Sequence, residues 1–159
     1  MTMSKIGLVL EGGKCAYTAG ILDAMMDNGV TFDYCIGVSA GSANGVSFVA
    51  GQRGRNIRFY TEHINEKGYF GLSSFLKTGN LFGLQYIYGT LTNSGGADPL
   101  DFDAFMKSPM EYWLVATDAQ TGKPTYFSKK DMHKDDYRHV MASCAIPAVC
   151  RPVEINGRF

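Results

Sequence analysis

Ser39 is the residue of this chain whose setting could make it a nucleophile. It stands in Gly37-Val38-Ser39-Ala40-Gly41, a G-x-S-x-G string preceded by the apolar run Tyr34-Cys35-Ile36 and followed by small residues up to Gly45. A serine at the tip of a sharp strand-to-helix turn exposes its hydroxyl, and the strained turn leaves no room for flanking side chains. Glycine at 37 and 41 meets that demand. The helix that follows aims unpaired N–H groups and the positive end of its dipole at the same spot, which favours an oxyanion there. The chemistry implied is attack on an acyl carbonyl. A plainer reading remains, because a chain with 19 glycines yields such strings by chance. Ser39 would then be an N-cap on an ordinary turn of a parallel sheet.

A second glycine turn follows the first apolar run, where Lys5 to Leu10 ends in Glu11-Gly12-Gly13-Lys14. It fits neither the dinucleotide pattern G-x-G-x-x-G nor the phosphate loop G-x-x-x-x-G-K-[ST]. Glycine permits the φ values that aim successive amides at one point, so Gly12 and Gly13 could form an oxyanion hole together with the amide of Ala40. The alternative is a tight turn and nothing more. Lys14 would contact the oxyanion or a lipid phosphate in the first case and be a solvated lysine in the second.

These turns need elements to hold them. The run Lys5 to Leu10 predicts a parallel strand covered on both faces. A helix follows, with Tyr17, Ile21, Leu22, Met25 and Met26 on its buried side and Asn28-Gly29 as its stop. Tyr34 to Ile36 completes a βαβ unit, so both glycine turns fall at the carboxyl ends of parallel strands, where open α/β sheets bind ligands. Arg53 to Glu66 predicts a helix burying Ile57, Tyr60 and Ile64. From Gly68 to Leu91 aromatic and aliphatic residues crowd between glycines, and Lys77 is the only charge. That stretch reads either as a mobile aromatic cap or acyl channel beside Ser39, touching a lipid interface, or as short helices packing into the core. Residues 68–97 are accordingly expected as a cap-like insertion in a single domain spanning 1–159.

Tyr112 to Thr117 and Thr125 to Ser128 predict a pair of strands. Asp118 between them is the in-chain acid best placed to serve as a base, unless it fixes its own turn through nearby amides. Asp135 to Ser143 predicts a helix ended near Pro147. His63, His133 and His139 have no spacing that brings one to Ser39, as a Ser-His triad would require.

Taken together, these segments resemble the patatin-like phospholipase family. The resemblance begins in Ile6 to Gly51, with a strand, Glu11-Gly12-Gly13, a basic residue, Tyr17-Thr18-Ala19-Gly20-Ile21-Leu22-Asp23 and Phe32-Asp33-Tyr34-Cys35-Ile36-Gly37-Val38-Ser39-Ala40-Gly41. It continues in Asp98-Pro99-Leu100-Asp101-Phe102, Ala116-Thr117-Asp118 with Thr121-Gly122, and Ala142-Ser143-Cys144-Ala145-Ile146-Pro147. It implies a three-layer α/β/α fold with a central, mostly parallel sheet, and a Ser-Asp dyad that cleaves acyl esters of lipids without histidine, metal or cofactor. Two departures stand out. The family's G-G-G-x-R-G loop is two residues shorter here, so Gly12 and Gly13 carry over while Lys14 only approximates the arginine. The family's aspartate lies in a D-G-G or D-G-A turn soon after a segment like Val153 to Phe159, and the sequence stops short of it. The expectation is a fragment, or a chain completed by a partner.

Composition narrows the rest. Fifteen basic and fifteen acidic residues cancel among 159, so no global field draws the chain to nucleic acid. The four cysteines, Cys15, Cys35, Cys144 and Cys150, lack C-x-x-C spacing and sit in or beside apolar runs. Reduced buried thiols and a cytoplasmic location follow, with peripheral membrane association compatible. The N-terminus shows neither a signal peptide nor a membrane span. The rival functions are an esterase with a Ser-His-acid triad and a non-catalytic lipid- or protein-binding domain that keeps the fold.

Overall fold

A computed structural model describes residues 5–159. Four strands form one sheet in the order β1 (Gly7–Leu10), β2 (Tyr34–Val38), β3 (Glu111–Thr117), β4 (Pro124–Ser128). The first three are parallel and β4 runs antiparallel to β3. Around them lie α1 (Cys15–Asp27), α2 (Ala40–Val49), α3 (Arg55–Thr61), α4 (Leu72–Thr78), α5 (Leu84–Tyr86, continued by a π-helical turn Ile87–Leu91), α6 (Phe102–Lys107) and α7 (Arg138–Cys144). This is the α/β class with a mostly parallel sheet. No helix among the described residues is long and apolar enough to cross a membrane.

Strand alternation decides what is buried. Leu10, Cys35, Tyr112 and Leu114 point to one face, where Leu22 of α1, Val46 of α2, Phe105 of α6 and Val140 of α7 close over them. The opposite face was expected to be covered as well. It carries Val9, Val38, Trp113 and Tyr126, which are 74%, 44%, 38% and 57% exposed. The described residues thus form the sheet and one of the two helical layers of the sandwich, and the run that reads as a doubly covered strand is covered once.

The same one-sidedness corrects α1. Leu22 is buried and Met25 and Met26 are half-buried as expected, but Tyr17 and Ile21 face solvent beside β1, and Ala19 and Asp23 take the inner positions. In α3 the buried residues are Arg55, Asn56 and Phe59, followed by His63, rather than Ile57, Tyr60 and Ile64. The reason is a polar cluster. Asp98 is buried, accepts two hydrogen bonds from Arg58 at 2.6 and 2.9 Å, and lies 3.5 Å from Arg55 Nε and 3.3 Å from His63 Nε2. Arg55 donates to Ser47 Oγ, Thr92 Oγ1 and the Asp98 carbonyl, and its guanidinium covers the Phe59 ring at 4.6 Å. Burial pulls the Arg55 pKa down to about 10 against the opposing pull of Asp98. The aromatic stretch divides around this cluster: Tyr69, Ile87 and Leu91 are buried against Phe59 and Leu84 is buried as well, while Phe70, Leu72, Phe75 and Leu76 are exposed.

Removing one partner of a buried ionic cluster leaves uncompensated charge, which typically costs 3–5 kcal/mol. Asp98→Ala should therefore lower stability by about 3 kcal/mol in urea unfolding, while Asp27→Ala, which breaks the exposed Arg53–Asp27 pair, should leave the midpoint nearly unmoved.

Candidate active site

Strand β2 ends at Val38, and Ser39 turns the chain into α2 with φ 53° and ψ −124°. Positive φ in a residue with a β-carbon is strained and persists only where its surroundings enforce it. Here the enforcement is steric. A β-carbon on Gly37 would lie 2.5 Å from the Gly41 carbonyl carbon and the Ser42 nitrogen, and one on Gly41 would lie 2.2 Å from the Leu10 carbonyl oxygen. No side chain fits at either position.

Hydrogen bonds complete the turn. The Ser39 N–H donates to Ser143 Oγ at 2.8 Å, and that hydroxyl donates to the Val115 carbonyl of β3 at 2.6 Å. The Ser39 carbonyl accepts from Ser42 N–H, Ala43 N–H and the Ser42 hydroxyl. Ser39 holds the N-cap position of α2, yet its side chain makes no capping hydrogen bond. The hydroxyl is left free of the task that an ordinary capping serine performs.

The Gly12-Gly13 turn meets this point. A β-carbon on Gly12 would lie 3.3 Å from Ser39 Cβ and 3.9 Å from its Oγ, so the Gly12 backbone packs directly against the serine. Gly13 has φ 78°, with nothing within 4 Å of its missing side chain. Ala40 opens α2, where the first N–H groups have no partner within the helix. Lys14 is exposed, pairs with Glu11 at 3.8 Å, and its carbonyl starts α1 by accepting from Tyr17 and Thr18. Buried Asn44 ties the two turns together: its amide donates to the Cys15 carbonyl at 3.1 Å, and its side-chain oxygen accepts from Tyr60.

Asp118 lies elsewhere in its bonding. One carboxylate oxygen accepts from Gln120 N–H, Thr121 N–H and the Thr121 hydroxyl, and the other accepts from Arg158 at 2.7 Å. The Thr121 backbone and side-chain bonds, then Arg158, bring its pKa down to about 2. A carboxylate so engaged fixes its turn and is a feeble base. Nor do the histidines reach Ser39. His63 sits between Glu66 and Asp98, His133 pairs in a short bridge with Asp136, and His139 packs against Phe127 at 4.7 Å. Among the described residues the Ser39 hydroxyl has no hydrogen-bonding partner. Where Val38 and Ser143 flank the Ser39 backbone opens a mostly apolar cleft of about 460 Å³, whose lining also includes Asp118, Pro147, Cys150 and Phe159.

A sequence model of the patatin-like phospholipases matches residues 8–159. The chain belongs to the patatin-like phospholipase family. That is a family of lipid acyl hydrolases, and the match takes in both glycine turns, β3, α7 and the hairpin that ends at Phe159. The chain is also 28% identical, over 160 aligned residues, to the uncharacterized protein YjjU of Escherichia coli (strain K12). The alignment covers 96% of this chain and 43% of that relative, so the chain spans less than half the relative's length. Within this patatin-like chain the sequence had singled out Ser39, Gly12, Gly13, Gly37, Ala40 and Gly41, and the fold brings them together. Ser143 and Asn44 position the turn without having been singled out. Their signals were a serine in the Ala142-Ser143-Cys144-Ala145-Ile146-Pro147 run and a lone amide in a helix of small residues.

Two outcomes follow. Gly41→Ala must displace the Leu10 backbone and should destabilise by about 3 kcal/mol, whereas Gly13→Ala meets only local strain and should cost about 1 kcal/mol, both read from denaturant midpoints. Burial holds the His139 pKa below its ordinary 6.5, against the pull of Asp136 and Asp131, and among the described residues its Nδ1 has no partner. The unfolded chain then takes up this proton first as pH falls, so the stability contributed above about pH 6.5 is lost on acidification, by at most about 1.4 kcal/mol per pH unit. His139→Leu should flatten that part of the stability profile between about pH 7 and 5.

Proposed function

We propose that this chain carries the nucleophile and the oxyanion hole of a serine hydrolase that cleaves lipid or lysophospholipid acyl esters through an acyl-enzyme at Ser39. The observation that carries the reading is the Ser39 backbone at φ 53° and ψ −124°, with an uncapped hydroxyl packed against Gly12. Such a turn presents Oγ to a ligand at the carboxyl end of the sheet.

An ester would lie with its carbonyl oxygen against the N–H groups of Gly12, Gly13 and Ala40 and its acyl chain in the apolar cleft. Ser39 Oγ attacks the carbonyl carbon while a base accepts its proton. The tetrahedral intermediate expels the alcohol, which takes that proton, and water then releases the acyl group by the same steps. Each amide that meets the oxyanion is worth on the order of a hundredfold in rate. Lys14, exposed next to the Gly12-Gly13 turn, is the cation nearest in sequence for a lipid phosphate. The family's base is an aspartate in a D-G-G or D-G-A turn, which residues 1–159 do not contain, and in a longer polypeptide it would follow Phe159. Support comes from the path of the chain: the Phe159 carbonyl accepts from Ala119 N–H at 2.8 Å, and Phe159 lines the cleft shared by Val38 and Ser143. The four free cysteines suit a reducing compartment such as the cytoplasm.

A fluorophosphonate probe tests this. It should label Ser39 in the longer polypeptide and not in its Ser39→Ala variant. The 159-residue chain should hydrolyse a short nitrophenyl ester on the order of a hundredfold more slowly than the longer form. Single substitutions of His63, His133 and His139 should leave labelling intact. Loss with one of them would transfer the reading to a Ser-His-acid esterase, and no labelling of the longer form would leave a binding domain.

A further inference from the structure

Helix α4 is inside out. Leu72, Phe75 and Leu76 share one face by their i, i+3, i+4 spacing, and they are 68%, 38% and 78% exposed, while Ser74 is buried. Phe70, just before the helix, is 51% exposed and stacks on Phe82 at 5.0 Å. Single exposed apolar residues are ordinary on a protein surface, but a cluster on one short element marks a contact surface.

Charge says what kind of contact. The whole chain balances fifteen acids with fifteen bases, yet from Lys67 to Ala97 no acidic residue occurs, and Lys67 and Lys77 are the only charges. Arg151 joins them at the foot of α4, where a β-carbon on Gly79 would lie 2.3 Å from its Nε. Glu66, the acid that precedes Lys67, is engaged by His63 and Tyr86, so the free charge along the ridge is cationic, which complements an apolar layer under an anionic head-group plane.

The ridge is also fastened to the cleft. Leu81 N–H donates to the Val149 carbonyl at 2.8 Å and Arg151 N–H to Asn80 Oδ1 at 2.6 Å, so the chain leaving α4 pairs with the segment whose Ala148 and Cys150 line the cleft beside Ser39.

We propose that Phe70 and the Leu72-Phe75-Leu76 face of α4 dock on the surface of an anionic phospholipid bilayer and set the mouth of the Ser39 cleft at the lipid plane. Docking itself requires only the ridge and its cations. Its service to catalysis rests on the acyl-hydrolase reading above. An acyl chain leaving the bilayer would then enter the cleft without crossing water.

Sedimentation with vesicles tests the surface apart from the chemistry. The chain should co-sediment with vesicles of phosphatidylcholine containing roughly a third phosphatidylglycerol, and much less with phosphatidylcholine alone or at high salt. Leu72→Ser combined with Leu76→Ser should weaken partitioning at least about tenfold, and Lys77→Glu should weaken it on anionic vesicles, with circular dichroism and thermal midpoint retained in each. Ser39→Ala should bind vesicles as the parent does, and the Leu72→Ser, Leu76→Ser variant should keep its reactivity at Ser39. Vesicle binding by the chain together with no fluorophosphonate labelling of Ser39 in the longer form would defeat the hydrolase reading and leave the docking surface standing. Partitioning unchanged in the folded double variant, no binding to anionic vesicles, or a ridge that captures a protein instead would overturn the proposal.

Discussion

The approach of Gly41 to the carbonyl of Leu10 sets the separation of the two glycine turns. Only an absent side chain allows α2 to start so near the end of β1, since a β-carbon there would lie 2.2 Å from that oxygen. The rest of the site is arranged to hold this approach. Asn44 reaches from α2 to the Cys15 carbonyl, and Ser143 binds the Ser39 amide to the Val115 carbonyl of β3. Strain at Ser39 persists because three elements, β1, β3 and α7, are pinned to one turn of backbone.

Steric necessity is also why so much of this was legible in the sequence. Gly37 is demanded by the Gly41 backbone four residues on and Gly13 by its positive φ, and such local geometry shows in local spacing; Gly41 and Gly12, whose partners are distant, were legible through the strings that hold Gly37 and Gly13. The parallel β1 and β2 and the pairing of β4 with β3 were legible for the same reason, from apolar runs and the turns between them. Asn44 and Ser143 were not, because their partners lie 29 and 104 residues away and no spacing rule relates them. In α3 apolar periodicity pointed to Ile57, Tyr60 and Ile64, but a buried carboxylate at Asp98 drew Arg55 and Arg58 toward the interior. Reading burial from hydrophobicity fails where ions are buried in pairs. It fails again in α4, whose apolar face is turned outward.

The Asp98 cluster has a place in the design of the site. It fastens α3 to α2 through Ser47 and to the segment after α5 through Thr92. The half of the aromatic stretch nearest the cluster is buried with Phe59, while the half carrying α4 projects beyond it. Charge burial of this kind contributes little net stability compared with apolar packing, but its directional bonds select one arrangement of these helices.

The uncovered side of the sheet carries Val9, Val38, Trp113 and Tyr126, and Val38 is covalently next to Ser39. Whatever rests on those four side chains binds the folded form alone, since no such surface exists in an unstructured polypeptide. A separate partner there couples by mass action to the folding equilibrium and raises the thermal midpoint with its concentration, whereas a covering segment of the same polypeptide raises it independently of concentration.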